Sequence, residues 1–335
     1  MHLLVPSNAK QLSSRAEWFK NPIARKLNQE KGVEFGFELK GESETITEAP
    51  PLFWGVHLEN NLATNWYYHP ENRSEIIHSV TELTKLRPDY AVLHGIHLDW
   101  HPPKKDYIGR YINHSSASEL LKISKANSEL VKILKHYFNL KIENFPLTDC
   151  YKEDGKYLPS TFLYTGAGRL NDLLEIKEEQ GCDILLDLEH LAIVLNFLNR
   201  EENYDNIPLK KIENLTFADR KIYEKYGFYV KKGYIPYTDE KYEIKDWIKK
   251  IKAKFYHLTG SFCEIDPGKK ITTHMPVETD DKVFRKYLKM VLAQEPEVIV
   301  LEVASKGDNP CYDYLRPNET ELSFYNLCRI LLEEL

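Results

Sequence analysis

Asp183-Ile-Leu-Leu-Asp187-Leu-Glu-His190 is a short apolar run that stops at a carboxylate, with a histidine three residues further on. Five other runs stop in the same way: Phe53-Trp-Gly-Val-His57, Tyr90-Ala-Val-Leu-His94, Leu140-Lys-Ile-Glu143, Phe255-Tyr-His257 and Val298-Ile-Val-Leu-Glu302. Ile271-Thr-Thr-His274 is a weaker example. Short runs of this kind, bounded by polar residues, read as strands buried on both faces. Repeated along one chain, they describe a parallel barrel, because its strand ends converge on one face and bring distant residues together.

Working outward, eight strands are expected at about 2–6, 33–39, 53–58, 90–94, 140–144, 183–187, 254–258 and 298–302. Helical patterns separate most of them. Residues 118–138 carry an apolar stripe that includes Leu120, Ile123, Leu130, Val131 and Leu134, and 281–293 carry Val283, Phe284, Tyr287, Leu288 and Val291. Ile76, Val80 and Leu83 mark a third helix, and Leu170, Leu173 and Leu174 a fourth. Alternating strands and helices favour an α/β fold, here a single (β/α)8 TIM barrel spanning 1–335. Residues 191–253 form a long insertion, counted between strands 5 and 6, with helices at about 191–199, 217–226 and 242–253. An insertion of that size on a barrel rim serves as a lid or packs outside as a solvated excursion. The polar, proline-bearing stretch 40–52 is too broken for a helix.

The composition narrows the function classes. A hydrophobic content of 42% supports a large core, and a net charge of -6 gives no general attraction to nucleic acid. No run reaches the length of a membrane span, and the start does not resemble a signal peptide. The cysteines Cys150, Cys182, Cys263, Cys311 and Cys328 are odd in number and widely spaced. They read as reduced thiols, and the expected compartment is the cytoplasm. Gly166-Ala-Gly168 is not a complete dinucleotide fingerprint, and no phosphate-cradling loop or nucleophile elbow is present.

A lone histidine at a strand end is more often a hydrogen-bonded rim residue than a ligand. Their joint occurrence changes the reading. Glu143, Asp187 and Glu302 on one barrel face would repel each other if all were ionised, and cations resolve that conflict with neutral imidazoles beside the acids. His, Glu and Asp without Cys suit iron, zinc or manganese rather than a thiolate-held metal. In Asp187-Leu-Glu-His190 the spacing lets acid and histidine share or bridge cations, whereas Glu189 points away if the strand continues. His97 and His101 read as loop residues, and the Lys-rich 245–254 as a solvated helix face.

The order of these residues resembles the xylose-isomerase-like TIM-barrel superfamily, over about 53–305. That group includes sugar isomerases and epimerases, zinc-dependent abasic-site endonucleases, and multinuclear non-haem iron oxidases that modify peptides. The resemblance implies Glu143, Asp187, His257 and Glu302 as the shared metal set. It implies His190 as the histidine of an endonuclease-like D-x-x-H, and His57, His94 and His274 as the additional ligands of a site with two or three metals. His257-Leu-Thr-Gly260, Thr273-His-Met-Pro-Val277 and Glu143-Asn-Phe-Pro146 are most similar to the iron oxidases. Two departures stand out: Thr272 occupies the place of a family aspartate, for which Asp266 is a substitute candidate, and His190 stands where the oxidases carry asparagine.

Three activities follow from the resemblance. The first is an iron- and O2-dependent oxidation of a small molecule or peptide by a di- or trinuclear centre. The second is zinc-dependent phosphoester hydrolysis, weakened by the acidic chain. The third is a sugar isomerase with one manganese, in which Glu143 and Glu302 are the catalytic acids and bases; the additional histidines argue against it. A degenerate barrel acting as a binding protein is the non-enzyme alternative.

Overall fold

Eight parallel strands close into a barrel: β1 (His2–Ser7), β2 (Glu34–Gly41), β3 (Trp54–Leu58), β4 (Tyr90–His94), β6 (Leu140–Glu143), β9 (Asp183–Asp187), β10 (Phe255–Leu258) and β11 (Val298–Leu301). β1 pairs with both β2 and β11, which closes the ring. This is the computed structural model of the chain, and it describes residues 1–41, 46, 48–59, 62–95, 97–99, 117–145, 148–153, 156–165, 170–192, 216–218, 221, 243–260, 274–305 and 316–335. All eight barrel strands fall where the sequence predicts them, so the α/β TIM-barrel expectation holds.

The expected position of the insertion needs correcting. Residues 191–253 join β9 to β10, the sixth and seventh barrel strands, not the fifth and sixth. The strand at 183–187 is already the sixth of the eight expected strands, counted from the one at 2–6. Most of the insertion lies outside the described residues. Of its expected helices, the last is present as Ile244–Ile251, which buries Ile244, Trp247, Ile248 and Ile251. The helices Ala117–Leu134 and Lys282–Leu292 also match their predicted stripes. Asp281 caps the latter, accepting from the backbone N–H of Val283 and Phe284 at 2.9 Å each.

A small antiparallel sheet was not expected. It orders β5 (His97–Asp99), β8 (Lys156–Thr165) and β7 (Thr148–Glu153), and so converts the expected loop after His94 into a strand. Its strands belong to the connections that leave the C-terminal ends of β4 and β6. The signal for the β7–β8 hairpin was Asp154-Gly155, a dipeptide suited to a two-residue turn.

Residue parity along the barrel strands positions the site. Leu4, Tyr90, Val92, Leu185, Phe255, Val298 and Val300 form a buried apolar cluster separate from the larger core. These side chains fill the barrel interior, and each contributes about 1.5–3 kcal/mol by complete burial. Side chains two residues apart on a strand share a face. One step on from Val92, Leu185, Phe255 and Val300 therefore come His94, Asp187, His257 and Glu302, a polar layer on an apolar plug. Gly55 makes room in that interior: a Cβ there would lie 2.2 Å from Tyr90 Cζ. No described helix is long and apolar enough to cross a membrane.

Candidate metal centre

His57 lies one residue before the end of β3, His94 ends β4, Glu143 ends β6, Asp187 ends β9, His257 lies on β10, and Glu302 follows β11. All six are buried. They form two sets with Glu143 in common: His57, His94 and Glu143 in one, and Glu143, Asp187, His257 and Glu302 in the other. Within each set the donor atoms lie within 4.8 Å of one another.

Glu143 divides its two oxygens between the sets. Its Oε2 lies 2.9 Å from His57 Nε2 and 2.9 Å from His94 Nε2. Its Oε1 lies 3.3 Å from His257 Nδ1, and that nitrogen is 3.0 Å from Glu302 Oε2 and 3.8 Å from Asp187 Oδ2. His57 Nδ1 sits 2.9 Å from the Leu58 carbonyl, which fixes that nitrogen as the donor and turns Nε2 toward Glu143.

The second set passes a direct test of fit for a cation. Glu143 Oε1, Asp187 Oδ2, His257 Nδ1 and Glu302 Oε2 are all buried, and none has a hydrogen-bond partner among the described residues. One orphaned atom from each of the four groups faces the same point. Cation–donor distances of about 2.0–2.2 Å put the donors of a tetrahedral site roughly 3.4 Å apart, and His257 Nδ1 lies 3.3, 3.8 and 3.0 Å from the oxygens of Glu143, Asp187 and Glu302. The other ends are occupied. Asp187 Oδ1 accepts from the His190 backbone N–H at 2.8 Å, and Glu302 Oε1 lies 3.7 Å from Lys40 Nζ at the exposed rim.

Without cations, protons do the neutralising. Burial pushes the Asp187 carboxyl up to about 8, with Glu302 and Glu143 adding to the effect against the pull of His190. Burial opposes a charge on His190, yet Asp187 and Glu143 prevail and lift it to about 10. His257 is likewise raised well above its ordinary range, because Glu38, Glu143 and Glu302 outweigh its burial. Burial drives His94 the other way, down to about 4. Glu143 and Glu302 stay well below the usual carboxylate range despite burial, held there chiefly by His94 and His257 for the first and by His257 for the second. Bound metal would bring positive charge to the same acids and compete with these protons.

His190 and His274, expected as ligands, stand outside both sets among the described residues. His190 Nδ1 is 2.8 Å from the Asn144 carbonyl, and His274 Nδ1 is 2.8 Å from the Glu302 carbonyl. His190 Nδ1 is also 3.3 Å from Glu143 Oε1. With a backbone carbonyl on Nδ1, Nε2 would be the atom that meets a cation, the arrangement usual for metal-binding histidines. Thr272, Asp266, Cys263 and His101 lie outside the described residues, as does Gly166-Ala-Gly168.

Three functional neighbours were missed. Asn144 clamps the end of β9, accepting from the Asp187 N–H at 2.6 Å and donating to the Asp187 carbonyl at 2.9 Å. Glu189, read as facing away, is buried and accepts from the His274 N–H at 2.8 and 3.1 Å. The reason is that the strand does not continue: the backbone turns helical at Leu188. His274 itself sits at φ 55, in the left-handed region. Glu38, on β2, is the third, and the parity of Gly36, Glu38 and Lys40 was the available signal.

No protein-family model and no curated protein matches the chain. Among solved structures it is similar to the TTHB071 protein of Thermus thermophilus, from crystals soaked with ZnCl2, with 98% of each chain covered, 13% identity and a TM-score of 0.46. The fold assignment rests on the closed barrel itself, and the site on its own geometry.

Proposed function

We propose that the chain is a metalloenzyme with a dinuclear centre bridged by Glu143, and that it carries out iron- and O2-dependent oxidation of a small molecule or peptide side chain. The division of the Glu143 oxygens between two ligand sets carries this reading. His57, His94 and Glu143 would hold one ion, and Glu143, Asp187, His257 and Glu302 the other, with His190 and His274 as further ligands. Iron in such an oxygen and nitrogen set supplies open positions and redox chemistry toward dioxygen.

The chain's own part is to exclude water and fix the donors. Phe145 packs edge-on against His94 with ring centres 4.7 Å apart and closes that flank. Asn144 fixes Asp187, and Lys40 stands at the mouth beside Glu302. The similarity of His257-Leu-Thr-Gly260 and Glu143-Asn to the iron oxidases supports the oxidase over other metal chemistries. A second reading, zinc-dependent phosphoester hydrolysis, draws on the proximity of His190 Nδ1 to Asp187 Oδ2, 3.8 Å, in the endonuclease-like D-x-x-H. The isomerase reading has less support, because Glu143 and Glu302 face imidazoles rather than open space.

Elemental analysis of protein purified anaerobically without added metal tests the proposal. Two or more irons per chain are expected. Two or three zincs without iron would transfer the assignment to the hydrolase, and a single manganese would overturn the dinuclear reading.

A further inference from the structure

Glu38 is a buried carboxylate that none of the three candidate reactions uses. It sits on β2, one step along the inward face from Gly36, and only 2% of it is exposed. A carboxylate in that position is costly unless its oxygens are occupied. Both are. The Tyr90 hydroxyl donates to Oε2 at 2.6 Å, and His257 Nε2 stands 2.9 Å from Oε1. The approach of His257 is close in distance but falls short of linear hydrogen-bond geometry.

From this contact we propose that Glu38 is the positioning residue for the second ion of the centre, holding the His257 ring so that Nδ1 faces Glu143, Asp187 and Glu302. The inference rests on the metal-centre reading above. The two ring nitrogens of His257 serve opposite directions. Nδ1 meets the three carboxylates of the second set, and Nε2 meets Glu38. A histidine can offer a lone pair from Nδ1 only while its proton sits on Nε2, and a carboxylate at Nε2 selects that tautomer. Swapping the tautomer would place an N–H where the ligand lone pair belongs.

Tyr90 completes the device from below. It lies in the apolar plug, fully buried, and its hydroxyl donates upward to Glu38. A phenol donor at Oε2 leaves Oε1 to face His257 Nε2. The ring reaches that position because residue 55 has no side chain; a Cβ at Gly55 would overlap Tyr90, 2.4 Å from Cε1 and 2.6 Å from Cε2. Gly55, Tyr90, Glu38 and His257 therefore form one stack, on β3, β4, β2 and β10, that runs from the plug to the ligand layer. Lys40, the next residue on the same face of β2, reaches Glu302 from the rim. One strand thus steadies two ligands of the second set while contributing none itself.

The test is a titration of metal-free protein with Co2+, reading stoichiometry, the affinity of each site and the visible absorption of the bound ion. Wild type should bind two ions. Glu38→Gln should weaken one site by about 10–100-fold, the range for loss of a partner behind a ligand. It should shift that site's absorption and leave the other site within about threefold. Tyr90→Phe, nearly isosteric and able to fold in the plug, should weaken the same site by a smaller factor. It carries the test should Glu38→Gln fail to fold. A purely structural role for Glu38 predicts lower thermal stability with both affinities and both spectra unchanged, and that result in either folded variant would overturn the inference. Failure of the wild type to bind Co2+ would instead defeat the underlying reading of the centre.

Discussion

Replacing Glu143 by glutamine is the perturbation that most sharply probes the shared-ligand geometry. One oxygen of this residue serves His57 and His94 at 2.9 Å each, and the other faces His257 at 3.3 Å. At a free metal concentration one hundred times its Kd, each occupied site adds about 2.7 kcal/mol of stability. Two sites therefore add about 5 kcal/mol of metal-dependent stabilisation. His94→Ala dismantles only the first set and should retain about half of that. Glu143→Gln removes the first set's anionic ligand and one of the three carboxylates of the second. It should leave less than His94→Ala does, with at most one ion bound. The assay is thermal unfolding with and without metal, alongside bound-metal stoichiometry. If Glu143→Gln keeps two ions, or matches His94→Ala in both readouts, Glu143 does not bridge.

Other predictions concern the metal-free protein and the plug. Asp187 and His190 bind protons more tightly in the fold than in the unfolded chain, being raised to about 8 and about 10. Metal-free stability should therefore fall as pH rises from about 4, through Asp187 alone at first, most steeply between about 6.5 and 8 while both groups contribute, and then more gently to 10 through His190 alone. Saturating metal should flatten that slope, because ions replace the protons; identical pH profiles of chemical unfolding with and without metal would contradict this. Gly55→Ala places a Cβ 2.2 Å from Tyr90 Cζ, and should cost about 1–3 kcal/mol in urea unfolding through overpacking. Asn144→Ala removes two hydrogen bonds to the Asp187 backbone, one of them to a buried N–H. It should cost about 1–3 kcal/mol and weaken the second metal site, measured by the same unfolding and Co2+ titrations.

The barrel was legible because its strands are buried on both faces and end abruptly in polar residues. Val298-Ile-Val-Leu-Glu302 and Tyr90-Ala-Val-Leu-His94 each show an apolar step pattern that carries directly into a residue of the candidate centre. The candidate site residues at the strand ends were legible for the same reason. What the sequence hid was the layer behind them. Glu38 occupies mid-strand, where an acid reads as surface, and only the register Gly36, Glu38, Lys40 shows that it faces inward. Glu189 was assigned the wrong direction because the change from strand to helix at Leu188 has no breaker residue to announce it. Asn144 read only as the last residue of an expected strand, and nothing in the sequence shows that its amide pairs with both backbone groups of Asp187. The small sheet was missed because Pro159 interrupts β8, a residue tolerated on strands whose N–H needs no ladder partner.

The central claim, two ions bridged by Glu143, is tested most directly by anomalous diffraction from crystals of the metal-loaded protein. The account predicts two peaks on opposite sides of the Glu143 carboxylate, about 3.5–4 Å apart as in two-metal sites, one beside His57 and His94 and the other among Asp187, His257 and Glu302. A single peak, or two peaks without Glu143 between them, would contradict it.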